Sequence, residues 1–376
     1  MAINPTDFYD QLASHGVDFF TGVPDSLLKE FCLCIDDRIP SDKHIITANE
    51  GNAVALAAGY YLANKTLPLV YMQNSGLGNA VNPLLSLCDP EVYSIPMLVM
   101  IGWRGEPGVK DEPQHVKQGK IQLELLETMD IPYVTISKDN EQFVSKISNA
   151  VNIATNESRP FVLLIKKGTF EKYGKEIQKV DDQRMLREEA LDIILENLDE
   201  NAVVVSTTGK TSREIFEIRE RKGQAHKQDF LTVGSMGHCS SIALGIALAK
   251  PHREVVCIDG DGALLMHLGS LTSIASMNPK NFHHILMNNE VHESVGGQDT
   301  AAKNVDLSAI VAAVGISNIF KVETLDDLKT CITDFMVAAG PAFLEVKIRP
   351  GSREDLGRPT IKPVDNKKDF MTFLDK

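Results

Sequence analysis

The feature that most restricts the fold is a strand-like run that leads into Asp259-Gly260-Asp261-Gly262-Ala263. Residues 254–258 are rich in β-branched side chains, which predicts a buried strand that ends at Asp259. Leucines at helical spacing follow, and a second apolar run at 282–287 leads to Asn288-Asn289. Strand, helix and strand in this order predict a parallel α/β sheet, and such sheets bind ligands at the carboxyl ends of their strands.

These strand ends carry oxygen-bearing side chains. A carboxylate, a carboxamide and a nearby backbone carbonyl form a ligand set that suits Mg²⁺ bound to a phosphate group. Asp-Gly and Asn-Asn are also common turn dipeptides, and either alone is a turn more often than a ligand site. The two together, in a strand–helix–strand setting, favour a ligand site.

The rest of the chain repeats the same alternation of strand and helix patterns, with a first helix at Asn4-Pro5. Strand-like segments lie at 18–23, 44–47, 67–72, 97–102, 132–136, 160–165, 202–206, 229–233, 254–258, 282–287, 318–321 and 342–347. Residues 166–186 lose the apolar periodicity, which predicts a first domain at 1–170, a linker at 171–186 and a second domain at 187–376. The fold class is therefore α/β, with two doubly wound parallel-sheet domains and no middle domain. The polar tail from Pro350 predicts a surface extension.

Composition limits the partners. A chain of 376 residues, with 43% hydrophobic and 24% charged residues, suits two globular domains with separate cores. The net charge of −13, without a basic stripe, argues against nucleic acid. We expect no membrane partner and a cytoplasmic location, because no signal-peptide pattern opens the chain and apolar runs stay well below the roughly 20 residues of a membrane span. Six cysteines without a Cys-x-x-Cys pair predict reduced core thiols.

The first half holds several candidate catalytic residues. Glu50 follows a predicted strand and precedes an alanine-rich helix, although an acid there also suits the positive end of a helix. Asp25 follows the first predicted strand, where it could equally cap a helix. The glycine-bearing segment 103–118 predicts a mobile active-site loop that includes His115. Its cations, Arg104 and Lys117 among them, are candidates for binding an anion or are plain surface charge.

The quoted Gly260-Asp261-Gly262 and Asn288-Asn289 segments, with their spacing, resemble the diphosphate–magnesium motif of thiamine-diphosphate enzymes. That resemblance implies Asp261, Asn289 and the Val291 carbonyl as metal ligands, and the backbone of Gly262 and Ala263 as diphosphate contacts. It implies a pyrimidine-binding first half and a diphosphate-binding second half, with thiamine diphosphate and Mg²⁺ as cofactors.

The same resemblance assigns further residues. Glu50 matches the glutamate that contacts the pyrimidine ring nitrogen, and Met236 matches the bulky residue that props the cofactor in its bent form, although ordinary packing also explains Met236. The remaining implied cofactor contacts are Gly234, Gly237, Thr208, Gly209 and Asn74.

Five patches resemble a narrower group of 2-oxo acid decarboxylases, whose substrates are pyruvates with a phosphonate or sulfonate at carbon 3. The patches lie at 22–26, 49–52, 73–78, 111–115 and 289–298. The resemblance implies a small anionic 2-oxo acid substrate, a reaction centre lined by Asp25 and His115, and Asp25 as a proton donor. It also implies a homo-oligomer with active sites between subunits. Glu290 departs from the pattern, because a small residue is expected there. A cofactor-binding subunit without turnover remains an alternative.

Overall fold

The computed structural model describes residues 1–138, 142–174 and 182–376. The chain forms two compact units, Met1–Gln178 with Val295–Gln298, and Lys179–Ser294 with Asp299–Lys376. Each unit contains a six-stranded sheet whose strand pairs are all parallel. The predicted fold class is confirmed. The predicted linker at 171–186 lies partly outside the described residues, so its bounds stay a prediction.

The first unit has strand order β2-β1-β3-β4-β6-β5. Its strands are β1 (Phe20–Gly22), β2 (His44–Ile46), β3 (Leu69–Gln73), β4 (Met97–Gly102), β5 (Tyr133–Ile136) and β6 (Pro160–Ile165). Its helices are α1 (Pro5–Ser14), α2 (Lys29–Arg38), α3 (Glu50–Asn64), α4 (Leu77–Pro83), α5 (Pro113–Lys120), α6 (Gln122–Thr128) and α7 (Phe143–Asn156). A 3-10 turn at Asn74–Gly76 joins β3 to α4, and a π-helical turn at Leu84–Cys88 follows α4.

The second unit has strand order β11-β12-β10-β9-β7-β8. Its strands are β7 (Val203–Ser206), β8 (Asp229–Leu231), β9 (Val255–Gly260), β10 (Phe282–Asn288), β11 (Asn318–Val322) and β12 (Ala342–Lys347). Its helices are α8 (Arg187–Glu196), α9 (Lys210–Arg221), α10 (Cys239–Ala249), α11 (Asp261–Met266), α12 (Ser270–Met277), α13 (Leu307–Ala313), α14 (Leu325–Val337) and α15 (Pro363–Leu374). A 3-10 turn lies at Ala301–Lys303.

Both sheets are covered on two faces, which explains why the central strands are continuous apolar runs. Along β3, Leu69 and Tyr71 join one hydrophobic cluster, whereas Val70 and Met72 join the cluster on the opposite face. Side chains of a strand alternate between faces, so each layer of helices receives every second residue. The predicted segments overlap all twelve of these described strands for this reason.

Two predicted boundaries are wrong. Strand β9 continues through Asp259 to Gly260, because the Gly260 residue still pairs in the ladder opposite Met287. The leucine pattern after the glycines forms two helices, because α11 ends at Met266 and α12 begins at Ser270.

Two predicted irregular segments contain helices. Helix α5 occupies the end of the predicted 103–118 loop, with Pro113 as its first residue, a position where the missing N–H costs nothing. Helix α15 lies in the predicted surface tail and buries Phe370 and Phe373. Among the described residues, no helix combines the length and the apolar character needed to cross a bilayer.

Candidate active site

In the first unit, polar side chains gather at the carboxyl ends of four adjacent strands. Glu50 follows β2, Asp25 follows β1, Gln73 ends β3 and Arg104 follows β4. Since parallel strands end at the same edge of a sheet, this edge is the ligand-binding edge of the fold.

Glu50 is the first residue of α3 and is only 5% exposed. Asn49 caps the helix by accepting from the backbone N–H of Asn52 at 3.1 Å. Nδ2 of Asn79 donates to Oε2 of Glu50 at 2.8 Å. Burial raises the pKa of Glu50, and the bond from Asn79 opposes that rise only in part. A carboxyl group of this kind holds or shares a proton more readily than an exposed glutamate does.

Gly76 determines how closely the chain approaches Glu50. A Cβ at position 76 would overlap Oε1, Cδ and Cγ of Glu50. The glycine therefore leaves the space that the carboxyl group occupies. The amide-rich turn at 73–79 is the only sequence signal for these contacts, and it does not single out Gly76 or Asn79.

Asp25 is fully buried and held by two donors. Nε2 of Gln73 donates to Oδ1 at 2.7 Å, and the backbone N–H of Leu27 donates to Oδ2 at 2.9 Å. Oγ of Ser75 in turn donates to Oε1 of Gln73 at 2.7 Å, which fixes the orientation of that amide. Burial raises the pKa of Asp25 despite these bonds. The side chain thus both shapes the turn before α2 and offers a positioned carboxyl group.

The 103–118 loop begins with a paired arginine. Nε of Arg104 donates to Oδ2 of Asp111 at 2.8 Å, and Nη1 donates to Oγ of Ser26 at 3.0 Å. The hydrogen bond from Arg104 lowers the pKa of Asp111 to about 2. Asn74 binds the Arg104 backbone, with Nδ2 donating to the carbonyl oxygen at 2.8 Å and Oδ1 accepting from the N–H at 3.1 Å. Asn74 therefore holds the loop, and its predicted cofactor contact stays a prediction.

His115 lies in α5 and is partly buried. Burial, with a smaller effect of the Arg104 charge, lowers the pKa of His115 to about 4, so the imidazole is neutral at pH 7. Among the described residues its Nδ1 has no hydrogen-bond partner. The loop closes tightly here, because a Cβ at Gly105 would overlap the His115 carbonyl.

In the second unit, Asp261 begins α11 and is 4% exposed. Oγ1 of Thr300 donates to its Oδ2 at 2.5 Å, and the backbone N–H groups of Gly262 and Asn289 also donate to the carboxylate. Burial raises the pKa of Asp261 to about 6 against these bonds. The structure thus brings Asp261 and Asn289 together at the ends of the adjacent strands β9 and β10.

Asn289 is oriented by both ends of its amide. Oδ1 accepts from the backbone N–H of Val291 at 3.2 Å, and Nδ2 donates to Oε2 of Glu293 at 3.2 Å. Glu293 is itself held by Arg187 at 3.0 Å and by Lys210 at 2.7 Å. This supporting role of Glu293 was not predicted, and its only sequence signal is its position four residues after Asn289.

Glu290 adopts a left-handed backbone conformation with φ of +64°. Its carboxylate binds Nζ of Lys347 at 2.8 Å and Nη1 of Arg184 at 3.0 Å. Burial favours the neutral acid, but the bonds and charges of these two cations lower the pKa of Glu290 below its ordinary value. The departure from the family pattern therefore leaves no uncompensated negative charge on this side chain.

The other predicted contacts lie on two strand-to-helix turns of the second unit. Met236 approaches Gly262, because a Cβ on Gly262 would lie 3.4 Å from the Met236 methyl group. Gly237 has φ of +85°, and a Cβ there would overlap the His267 ring and the Ala263 carbonyl. Gly234 and Thr208 are partly exposed, and Gly209, with φ of +98°, precedes α9 without a side-chain cap. The first N–H groups of α9 are thus available to an anion.

Two regions of the chain match models of one protein family. Residues 6–126 match the family model described as "Thiamine pyrophosphate enzyme, N-terminal TPP binding domain". Residues 207–346 match the model described as "Thiamine pyrophosphate enzyme, C-terminal TPP binding domain". The chain belongs to the thiamine pyrophosphate enzyme family. Each matched region contains one of the two sites described above.

Individual relatives in the family match nearly the whole chain. Phosphonopyruvate decarboxylase of Streptomyces viridochromogenes is 35% identical over 99% of this chain and 95% of its own length. Phosphonopyruvate decarboxylase of Streptomyces hygroscopicus is 36% identical over 99% and 94%, respectively. Sulfopyruvate decarboxylase of Methanosarcina acetivorans is 28% identical over 99% and 98%.

The residues in place fit the cofactor of this family together with a divalent cation. Asp261 is a buried carboxylate whose described partners are a hydroxyl and backbone N–H groups, none of which carries a compensating positive charge. Asn289 Oδ1 and the Val291 carbonyl add neutral oxygen atoms, the type of ligand that Mg²⁺ prefers. In the first unit, the buried carboxyl group of Glu50 offers a hydrogen-bonding partner to a heterocyclic nitrogen.

We expect Gly76→Ala to impair the site at Glu50. The added methyl group would overlap the Glu50 carboxyl, so the side chain or the turn must shift, at a cost of about 1–3 kcal/mol in the free energy of unfolding. Chemical denaturation should show a lower free energy of unfolding, and steady-state kinetics should show a lower kcat. Gly78→Ala is the matched control, because nothing lies within 4 Å of its Cβ position and alanine favours the helix. Equal stability and activity in the two variants would contradict the proposed packing.

Acidification should open the 103–118 loop before the fold as a whole unfolds. Between the ordinary pKa of 6.5 and the value of about 4 in the closed loop, an open loop binds a proton at His115 that the closed loop does not. The closed arrangement therefore loses stability as the pH falls through this window. Trp103, the single tryptophan, donates from Nε1 to the Gly119 carbonyl at 2.9 Å, so its fluorescence reports the change. His115→Gln should remove the transition, and an unchanged transition would exclude His115 as its cause.

Proposed function

We propose that the protein is a decarboxylase that converts 3-phosphonopyruvate to phosphonoacetaldehyde and CO₂ with thiamine diphosphate and Mg²⁺. The observation that carries this proposal is the near full-length similarity to two phosphonopyruvate decarboxylases. The buried acids at the strand ends of both units support the proposal, since such a reaction needs groups that can hold a proton and a cation.

Mg²⁺ would be held by Asp261, Asn289 Oδ1 and the Val291 carbonyl. Thr300 and Glu293 orient the Asp261 carboxylate and the Asn289 amide, respectively, so neither ligand has to be ordered when the ion binds. The diphosphate would be bound by the cation, by the backbone of Gly262 and Ala263, and by the exposed N–H groups that follow Thr208 and Gly209 at α9.

The backbone groups of Gly234 and Met236 would contact the pyrimidine. The Met236 side chain would pack against the cofactor, and Gly237 would allow the turn into α10. When bound, thiamine diphosphate supplies a nucleophilic carbon and an electron sink for the decarboxylation. Glu50 would hold a proton at its carboxyl group for a ring nitrogen, a role that its burial and raised pKa support.

Asp25 and His115 would act on the substrate. Asp25, whose pKa burial raises, would donate the proton that replaces CO₂ on the product. His115 is neutral at pH 7 and can donate a hydrogen bond to an anionic group without a protonation step. Arg104 and Lys117 are the further candidates for binding the phosphonate, although Arg104 is already paired with Asp111.

We further propose a homo-oligomer in which the first half of one subunit and the second half of another form each active site. The family resemblance supports this arrangement, and light scattering over a dilution series tests it. We propose a cytoplasmic setting for the enzyme, which six free cysteines support, since thiols stay reduced in that compartment.

The deciding experiment compares the release of CO₂ and aldehyde from phosphonopyruvate, sulfopyruvate and pyruvate, with thiamine diphosphate and Mg²⁺ present. Preference for phosphonopyruvate supports the proposal. Preference for sulfopyruvate would keep the reaction and change the substrate, an alternative that the Methanosarcina relative favours. Bound cofactor without turnover of any of the three would indicate a silent subunit.

A further inference from the structure

Four chemically reactive side chains meet inside the second unit, away from the strand ends. Cys257 and Asp259 lie on β9, His284 lies on the adjacent strand β10, and Cys239 is the first residue of α10. All four are at most 2% exposed. We call these residues the Cys239–His284 cluster. It lies in an otherwise apolar layer that includes Val255, Leu286 and Phe343.

The ligand atoms of Cys239, Cys257 and Asp259 converge, and His284 lies beside them. Sγ of Cys239 and Sγ of Cys257 are 3.8 Å apart, and these two sulfurs and a carboxylate oxygen of Asp259 all lie within 4.8 Å of one another. Nε2 of His284 lies 3.5 Å from Oδ2 of Asp259. Two thiolates on one tetrahedral Zn²⁺, with Zn–S bonds of about 2.3 Å, place their sulfurs about 3.8 Å apart.

Within the described part of the chain, three polar atoms of the cluster lack a hydrogen-bond partner, whereas the two thiols contact each other. Among the described residues, Oδ2 of Asp259 and both ring nitrogens of His284 have no hydrogen-bond partner. Oδ1 of Asp259, by contrast, accepts from the N–H of Gly260 at 2.8 Å, so the free oxygen faces the cluster. A completely buried carboxylate and imidazole without partners are costly, and native structures rarely leave them so.

A disulfide between Cys239 and Cys257 would explain fewer of these contacts than a bound cation does. It would join the two sulfurs but leave Oδ2 of Asp259 and the ring nitrogens of His284 without hydrogen-bond partners among the described residues. A protonated His284 would interact with both Asp259 and Cys257 but would leave the Cys239 thiol without a charged partner. Its 3.5 Å separation from Asp259 also lacks the geometry of a hydrogen bond. A cation bound by Cys239, Cys257 and Asp259 would give the two sulfurs and the free carboxylate oxygen a common partner, with His284 beside Asp259 as the fourth donor. Thiolate and imidazole ligands favour Zn²⁺ over Mg²⁺.

We propose that Cys239, Cys257, Asp259 and His284 bind a structural Zn²⁺ ion. All four candidate ligands belong to this unit and are buried, which suits a closed structural site without an open position for substrate. The ion would tie α10 to β9 and β10 at the start of the turn that carries Asp261. It is separate from the proposed Mg²⁺ site, whose ligands are all oxygen atoms.

Metal content tests the proposal on the full-length protein. Protein expressed with added zinc and passed through a chelator column should retain about one zinc per chain by plasma mass spectrometry, as a closed site does. Cys239→Ser and Cys257→Ser should each lose it. Cys88→Ser is the matched control, because Cys88 is equally buried but lies in the first unit. Asp261→Asn should keep the zinc, which separates this site from the cofactor site.

A second measurement uses the native protein, so it tests the proposal even if the cysteine variants fail to fold. Native protein prepared with Co²⁺ in place of zinc should show thiolate-to-cobalt charge-transfer absorption in the near ultraviolet. Retained zinc with this absorption supports the proposal. Zinc-free native protein, zinc lost only in Asp261→Asn, or a Cys239–Cys257 disulfide found by peptide mapping would overturn it.

Discussion

Glu50→Gln is expected to lower kcat by about 10²- to 10⁴-fold, the usual contribution of a positioned acid–base group. Glutamine has the same shape and can still accept the hydrogen bond from Asn79, so the turn at Gly76 should keep its structure. An amide cannot take up or share a proton, however. The loss should therefore appear in kcat with a small change in the dissociation constant of thiamine diphosphate.

The measurement is steady-state CO₂ release together with calorimetric titration of the cofactor. Glu124→Gln is the control, because it makes the same chemical change on an exposed side chain of the same unit. Activity of Glu50→Gln within threefold of the parent would exclude a proton-holding role for this residue. A variant that no longer binds the cofactor would instead assign Glu50 mainly to binding.

The strands could be predicted because most of them are short apolar runs bounded by polar or glycine residues. Strand β4, for example, is buried at all six positions, and only a central strand covered on both faces has that pattern. Helices α5 and α15 escaped prediction for the opposite reason. They are rich in polar residues and bury few positions, Gly119 in α5 and Asn366, Phe370 and Phe373 in α15, so tertiary contacts decide their helical form.

The parts of the candidate site formed by residues adjacent in sequence could be predicted. The hydrogen bonds between residues far apart in sequence could not. Gly260, Asp261 and Gly262 are neighbours in sequence, so their turn is visible there. The bond from Gln73 to Asp25 joins residues 48 positions apart, and the bond from Thr300 to Asp261 joins residues 39 apart. Nothing in either local segment indicates its partner, because the sheet order brings them together.

Asp261→Asn is expected to abolish the stabilisation of the protein by Mg²⁺ and cofactor. In the parent, ligand at a hundredfold excess over its dissociation constant raises the free energy of unfolding by about 2.7 kcal/mol. The variant loses the one charged ligand of the proposed set, so its affinity for Mg²⁺ should fall by at least about 100-fold, the upper range for residues that merely orient metal ligands. Thermal unfolding with and without Mg²⁺ and thiamine diphosphate measures the difference. Asp326→Asn, on an exposed helix start, is the control.

Without Mg²⁺ and cofactor, Asp261→Asn should be at least as stable as the parent protein. The pKa of Asp261 is raised from 3.8 to about 6, so the folded state binds this proton more tightly than the unfolded state does. Stability is therefore lost as the pH rises from about 4 to about 6, and at pH 7 the ionised carboxylate costs about 3 kcal/mol. Asparagine removes that cost, and the metal-free variant should unfold at a temperature equal to or above that of the parent. A lower unfolding temperature would mean that the carboxylate stabilises the turn itself and that its burial does not serve a cation.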